Sequence, residues 1–312
     1  MTSIIDRLKR PGHTLAGLVR KLWFLFPDDA QYLKMVYRLE MGHKLDLDHP
    51  QTFTEKLQWL KIHDRKPEYT LMVDKITAKE YVAEKIGEQY IIPTLGVWNH
   101  FDDIDFTQLP QQFVLKTNHG SGGSDVVICR DKDKLDMKAA RQLLENSLKR
   151  NGYNKYREWP YKNVERKIFA EQLLVDYDDK GLRREELTDY KFYCFNGEPK
   201  FCQVIKDRKS KETIDFFDME WNHQEFYGLN PKAKQAKEIP TRPRNLRQMA
   251  DIARTLSANL TFCRIDLYEV SDREYFGEIT FYPSSGFGTF TPDKYNDVLG
   301  KMVSLSGSKW GG

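Results

Sequence analysis

The sequence predicts an α+β protein in which a helical N-terminal segment precedes two α+β units, the second of them antiparallel. Three observations predict it: helical apolar spacing over roughly the first 88 residues, strand-like alternation broken by glycine turns after them, and isolated helical stretches near 136–150 and 244–260. With 312 residues, 40% of them apolar and 30% charged, the chain has room for two or three packed units and a substantial core.

Residues 1–88 read as helices. In "TFTEKLQWLKIH", Thr52 and Glu55 form a capping box ahead of an apolar stripe of Phe53, Leu57, Leu60 and Ile62. "KITAKEYVAEKIG" carries Ile76, Ala83 and Ile86 at helical spacing and stops at Gly87, a natural C-terminal glycine. Upstream, Leu15, Leu18, Val19, Leu22, Trp23, Leu25 and Phe26 can form one apolar face beside Arg7, Lys9, Arg10, Arg20 and Lys21. Such a face suits either a helix packed on its own protein or an interfacial helix that touches a membrane from its inner side. The longest apolar run there is residues 22–26 with no small-residue cleavage site, so a signal peptide is not expected. Nothing in the chain reaches the roughly 18 apolar residues that span a bilayer.

From "YIIPTLGVW" the texture changes to β, and the expected units are a helical region at 1–88, a small α+β unit at 89–168 and a larger antiparallel one at 169–312. "IFAEQLL" and "TDYKFYCFNGEPKFCQVIKDR" alternate as strands, the latter pair joined by Asn196-Gly197, a two-residue hairpin signal. The stretch at 244–260 puts Leu246, Met249, Ile252, Ala253, Leu256 and Leu260 on one helical face. "TFCRIDLYEVSDREYFGEITFYP" reads as two strands around a turn.

Composition narrows the function. A net charge of +3, evenly spread and without basic runs interleaved with aromatics, argues against a nucleic-acid partner. Cys129, Cys194, Cys202 and Cys263 sit in apolar strand-like runs without C-x-x-C spacing, which suits buried thiols in the cytoplasm and gives no zinc site. The histidines lack metal-ligand spacing, and neither a Cys-His nor a G-x-S-x-G nucleophile is present.

Two features carry chemistry. In "QFVLKTNHGSGGSDVVICR" an apolar strand ends in Lys116 and runs into a glycine- and serine-rich turn, Gly120, Ser121, Gly122 and Gly123. Such a turn is either a plain hairpin or a loop whose backbone N–H groups hold phosphate; the order of residues is not that of a P-loop. In the last hairpin Arg264, Asp266, Glu278 and Thr280 fall on alternating positions of neighbouring strands, so all four side chains can share one face. Carboxylates inside apolar strands are costly unless paired or metal-bound. Asp266, Glu278 and a neutral oxygen suit Mg²⁺, and a salt bridge from Arg264 is the simpler alternative. Lys75 in "VDKITAK" and Lys191 in "TDYKFYCF" add cations that, with Lys116 and a metal, could neutralise a polyphosphate.

The ordered set "TFTEKLQWLKIHDR", "KEYVAEKIG", "FVLKTNHGSG", "AEQLL", "DYKFY", "RID" and "FGEITFYPSSGFG" resembles the ATP-grasp superfamily of carboxylate–amine ligases, and within it the TupA-like group named for teichuronopeptide biosynthesis. The likeness covers roughly residues 30–300. It implies an ATP-grasp fold, two α+β subdomains gripping ATP, with the lid subdomain at 89–168 and the core at 169–312. It also implies that Lys75 and Lys116 reach ATP phosphates under a lid of Gly120, Ser121, Gly122 and Gly123. Glu171, Gln172, Leu173 and Leu174 would form the segment that reads adenine, and Asp189 and Lys191 a polar pair near ribose and phosphate. Asp266, Glu278 and Thr280 would hold Mg²⁺, with Arg264 facing the transferring phosphate. Arg208, and Ser284, Ser285 and Gly286, lie where a carboxylate donor would be held; His119 would meet phosphate or cap the strand. Thr280 departs from the asparagine common in the superfamily, and the α/β domain that often precedes the grasp is replaced by the helical region.

The activity implied is an ATP- and Mg²⁺-dependent ligase. It would join an amine or amino acid to a carboxylate-bearing saccharide, such as a uronic acid of a bacterial surface polysaccharide, through an acyl phosphate. A sugar kinase would use the same phosphate machinery without an amine. A nucleotide-sugar glycosyltransferase would need a βαβ nucleotide-binding half and usually D-x-D, which the sequence lacks.

Overall fold

The computed structural model describes residues 11–120, 125–177, 181–184, 187–206, 212–230 and 233–305. Ser121, Gly122, Gly123 and Arg208 lie outside the described residues.

The N-terminal region is helical. Helices α1 (Pro11–Lys21) and α2 (Asp29–Met41) form a hairpin, with α2 capped by Asp28 accepting from Gln31 N at 2.8 Å and ended by Gly42 at φ 80°. Helix α3 (Phe53–His63) starts at the expected capping box: Thr52 Oγ1 accepts from Glu55 N at 3.3 Å while Glu55 accepts from Thr52 N at 3.0 Å. Phe53, Leu57 and Leu60 are buried as the spacing predicts, and Ile62 packs partly buried against the α2 cluster. Helices α4 (Glu68–Val73) and α5 (Thr77–Ile86) follow, and α5 ends at Gly87. Its buried residues are Ala78, Lys79 and Val82 rather than Ile76 and Ala83, because a lysine with partners inside occupies the inner face.

The first sheet has four antiparallel strands in the order β1-β4-β2-β3: β1 (Thr94–Trp98), β2 (Phe113–Thr117), β3 (Val126–Cys129) and β4 (Ile168–Gln172). The chain stays in this sheet past the boundary expected at 168/169, since β4 pairs on both sides, with β1 and β2. Helix α6 (Met137–Leu148), N-capped by Asp136, and the short α7 (Gly152–Tyr156) lie between β3 and β4, and α6 buries Ala140 and Leu144 against Phe113, Leu115 and Ile168.

The second sheet is antiparallel with the order β10-β9-β5-β6-β7: β5 (Asp189–Phe195), β6 (Glu198–Lys206), β7 (Thr213–Phe217), β9 (Phe262–Val270) and β10 (Arg273–Thr280). Asn196 and Gly197, at φ 51° and 83°, make the predicted two-residue turn between β5 and β6. All seven residues of β5 are buried, as fits the central strand of a sheet covered on both faces. Helix α8 (Leu246–Ser257) buries Leu246, Met249, Ile252, Ala253 and Leu256 in the same core as β5, α3 and α5. A two-stranded ribbon of β8 (Tyr227–Gly228) and β11 (Phe290–Thr291), and helix α9 (Tyr295–Met302), complete the described chain.

All four cysteines are free and buried. Among the described residues no helix is long and apolar enough to cross a membrane.

Candidate active site

The last hairpin brings four predicted side chains together. In the β9–β10 register Asp266 lies opposite Glu278 and Arg264 opposite Thr280, a register set by an irregularity between Phe276 and Glu278. Gly277 fills that step: a Cβ there would sit 3.0 Å from the Asp266 carbonyl oxygen. On the other side of β9, Lys191 of β5 stands opposite Asp266.

Arg264 Nη2 is the point on which the oxygens converge. It donates to Asp266 Oδ2 at 2.8 Å, Glu278 Oε1 at 3.0 Å and Thr280 Oγ1 at 3.1 Å, while Arg264 Nε donates to Asp266 Oδ1 at 2.6 Å. Lys191 Nζ donates to Asp266 and lies 2.9 Å from Asp189 Oδ2. The cluster is graded in depth: the side chain of Asp266 is 2% exposed and that of Glu278 31%.

Electrostatics follow that gradient. Burial pushes the Asp266 carboxyl up to about 6, against the pull of Arg264 and Lys191. For Glu278 burial is outweighed by Lys75, Arg264 and Lys191, which hold its carboxyl well below the usual range. The Arg264 guanidinium is correspondingly pushed up: its burial is more than offset by Asp266, Tyr193 and Glu278.

Lys75 joins this hairpin to the first sheet. Its Nζ lies 3.4 Å from Glu278 Oε2 and donates to the carbonyl oxygen of Gly120, at the start of the glycine turn. Asp74 and Asn118 fix the approach. Asn118 Nδ2 donates to Asp74 Oδ2 at 2.8 Å, and Lys75 N donates to Asn118 O at 3.0 Å. A Cβ on Gly120 would fall 1.2 Å from Asp125 Oδ2, so a side chain there would push the Asp125 carboxylate off Thr117 Oγ1, which donates to it at 2.6 Å. His119 is buried against Ser147 O and Asn118 Oδ1, which makes it a brace of this turn, and burial lowers its pKa.

On the first sheet, Glu171 takes two lysines. Lys116 Nζ lies 2.5 Å from Glu171 Oε1 and Lys79 Nζ 2.9 Å from Oε2, with Lys79 also donating to Ile92 O at 2.8 Å. Burial would raise the Glu171 carboxyl, but Lys116 and Lys79 together hold it below its ordinary value. Gln172 is exposed and Leu173 and Leu174 half-buried, where the chain leaves β4.

Lys79 escaped the sequence reading, although its spacing of four from Lys75 was a usable signal. Lys61 escaped it too. This lysine is 0% exposed and donates to Gln58 Oε1, Tyr156 O and Ser285 O at 2.9, 2.9 and 2.7 Å. It thereby ties down the turn that follows β10, where Ser284 and Ser285 both have positive φ, 49° and 54°. Burial pushes its ammonium down to about 7, with Glu158 opposing.

The donor set fits a hard divalent cation. Two carboxylates and a hydroxyl already gather within 2.8–3.1 Å of one cationic nitrogen. Among the described residues no group of three or more His, Cys, Asp or Glu side chains is placed to hold a metal ion; this set has two carboxylates and a hydroxyl.

Lys116 and Lys79 at the first sheet and the carboxylate–guanidinium cluster on the second are joined by Lys75 beside Gly120. The family profile described as TupA-like ATPgrasp matches residues 55–304, and the chain belongs to that family. No curated protein matches. Solved structures similar to it share low identity: a D-alanine–D-alanine ligase from Bacillus anthracis (15% identity, TM-score 0.37, 68% of this chain and 57% of that one) and D-alanyl-alanine synthetase A from Vibrio cholerae O1 biovar eltor (11%, 0.41, 89% and 70%). A RimK domain ATP-grasp protein from Sphaerobacter thermophilus is similar at 12% identity and TM-score 0.39, over 75% of this chain and 67% of that one. The chain spans little more than half the length of the Bacillus ligase.

Proposed function

We propose that this chain is an ATP- and Mg²⁺-dependent ligase that joins a carboxylate to an amine through an acyl phosphate. The observation that carries the reading is the convergence of Asp266, Glu278 and Thr280 on one cationic point, with Lys75 linking that point to the glycine turn. Asp266, Glu278 and Thr280 would hold Mg²⁺, which when bound would supply charge neutralisation for a polyphosphate. Lys75 and Lys116 would bind ATP phosphates beneath the turn of Gly120 and residues 121–123. Glu171 and residues 172–174 would take the adenine end, and Asp189 and Lys191 would orient Asp266 from below. Arg264, which here donates to Glu278 and Thr280, would offer its guanidinium to the transferring phosphoryl group.

In the first step a carboxylate oxygen of the substrate bonds to the γ-phosphorus as the bond to the β-bridging oxygen breaks, giving ADP and an acyl phosphate. In the second, an amine nitrogen bonds to the acyl carbon, the C–O bond to phosphate breaks, and the nitrogen loses a proton. Neither step needs a side-chain nucleophile; the residues position, neutralise charge and exclude water. The substrates we infer are a carboxylate-bearing saccharide, such as a uronic acid of a bacterial surface polysaccharide, and an amine or amino acid, joined in the cytoplasm. Family membership supports this reading, and Arg208 and Ser284–Gly286 are its candidate substrate contacts.

ADP release with ATP and Mg²⁺ against a panel of uronic acids and amino acids tests it, with Glu278→Gln as control. Release that needs both a carboxylate and an amine, and vanishes in the control, supports the ligase. Phosphoryl transfer to a hydroxyl without an amine would make the protein a kinase. Failure to bind ATP would remove both readings.

A further inference from the structure

The apolar residues of α1 do not form the single face that the sequence suggested. Ala16 is buried, Val19, Trp23 and Phe26 pack against the α2 cluster, and a Cβ on Gly12 would come 2.4 Å from Leu39 O, so the two helices touch nearly backbone to backbone. Arg20 is spent on an ion pair with Glu40. What remains outside is Leu15, Leu18 and Leu22, three and four residues apart on one stripe, followed by Phe24 and Leu25. These five side chains are 50, 52, 46, 61 and 60% exposed, a concentration of apolar surface that scattered surface leucines do not explain.

The charges around the stripe point to its partner. Lys21 flanks it, α2 turns Lys34, Met35 and Arg38 outward, and Asp28, which caps α2, is the exposed carboxylate of residues 11–41. A second copy of the chain is a poor occupant: a two-fold contact through this face would crowd Lys21, Lys34 and Arg38 of both copies into one seam. Phosphate headgroups satisfy the bases while the acyl boundary takes the leucines.

We propose that the α1–α2 hairpin seats the protein on an anionic lipid surface. The hairpin is fixed firmly enough to orient what it carries. The Asp29 carboxylate accepts from Arg65 at 2.7 Å and from Tyr153 OH at 2.9 Å, and Arg157 Nη2 donates to Phe26 O at 2.8 Å. These contacts join the hairpin to α3 and to the segment around α7, so the lipid would hold the whole body in one attitude. The inference is independent of the ligase reading.

Flotation of the full chain with vesicles of phosphatidylcholine alone, or of phosphatidylcholine with phosphatidylglycerol, tests it. The protein should float with the anionic vesicles only, and less as salt rises. Leu18→Asp with Leu22→Asp, and separately Lys21→Glu with Lys34→Glu, should each weaken partition at least about tenfold. ATP turnover in solution and melting temperature should not change. No partition into either vesicle would overturn the proposal. So would anionic binding that survives the leucine pair, or a concentration-dependent dimer that the leucine pair abolishes in a chain that does not float.

Discussion

Lys75 Nζ sits 3.4 Å from Glu278 Oε2, a contact between residues more than 200 positions apart that joins the helical region to the edge strand of the second sheet. The same ammonium reaches the carbonyl of Gly120, so one side chain ties together three parts of the site.

Lys75→Met should therefore lower ATP-dependent ADP release by about a hundredfold or more, as expected on removing a preorganised cation from a transferring phosphate. Stability should change by less than about 1 kcal/mol, since Asp74 and Asn118 hold the local backbone without the ammonium. Steady-state rates and urea melts on the same preparation separate the two effects.

Arg264 Nη2 occupies the centre of the oxygen cluster, so a metal held there would compete with the guanidinium. Arg264→Ala should bind Mn²⁺ several-fold more tightly than the parent in nucleotide-free solution, while turnover falls. Electron paramagnetic resonance titration reads the free ion directly. An unchanged affinity would put the cation somewhere other than between Asp266 and Glu278.

Glu171 should contribute to acid sensitivity. Its folded carboxyl lies below the ordinary value near 4.5, so the stabilisation is fully present above that pH and is lost as pH falls through the lower folded value. Glu171→Gln should flatten the fall in stability below about pH 4.5. The same variant should lose stability near neutral pH, because Lys79, almost wholly buried, loses its counter-charge. Chemical melts across pH 3–7 would show both.

Lys61→Met should cost about 3 kcal/mol, since it leaves Gln58 Oε1, Tyr156 O and Ser285 O facing an apolar side chain and removes the cation that offsets the buried Glu158 carboxyl. A urea midpoint measures it. Lys61→Arg should not rescue, as a longer planar fork does not fit three acceptors arranged around one nitrogen.

Much of this fold was legible because it rests on local signals. The Thr52 and Glu55 capping box, the Asn196-Gly197 turn and the apolar face of α8 each work through neighbours in sequence, and each is where the pattern puts it. Alternation likewise gave the shared face of Arg264, Asp266, Glu278 and Thr280, which depends only on pleat and register. Harder to see were side chains whose partners are remote. Lys79 looks like a solvated helix lysine until β4 brings Glu171 to it, and Lys61 looks like one until the turns at Tyr156 and Ser285 close over it. The end of the first sheet was missed for the same reason, because the pairing of β4 between β1 and β2 is invisible to a local reading.

The origin of Lys75 and Lys79 within the helical region limits how this protein could be recombined. A chimera that grafts a foreign N-terminal segment ahead of residue 89 would keep the strands of both sheets. It would nonetheless leave Glu278 without the Lys75 contact and Glu171 with Lys116 as its remaining lysine. The helices are thus not an exchangeable module: Phe53, Leu57, Tyr69 and Val82 share the core of the second sheet, so a shuffled gene would lose packing together with the Lys75 and Lys79 contacts.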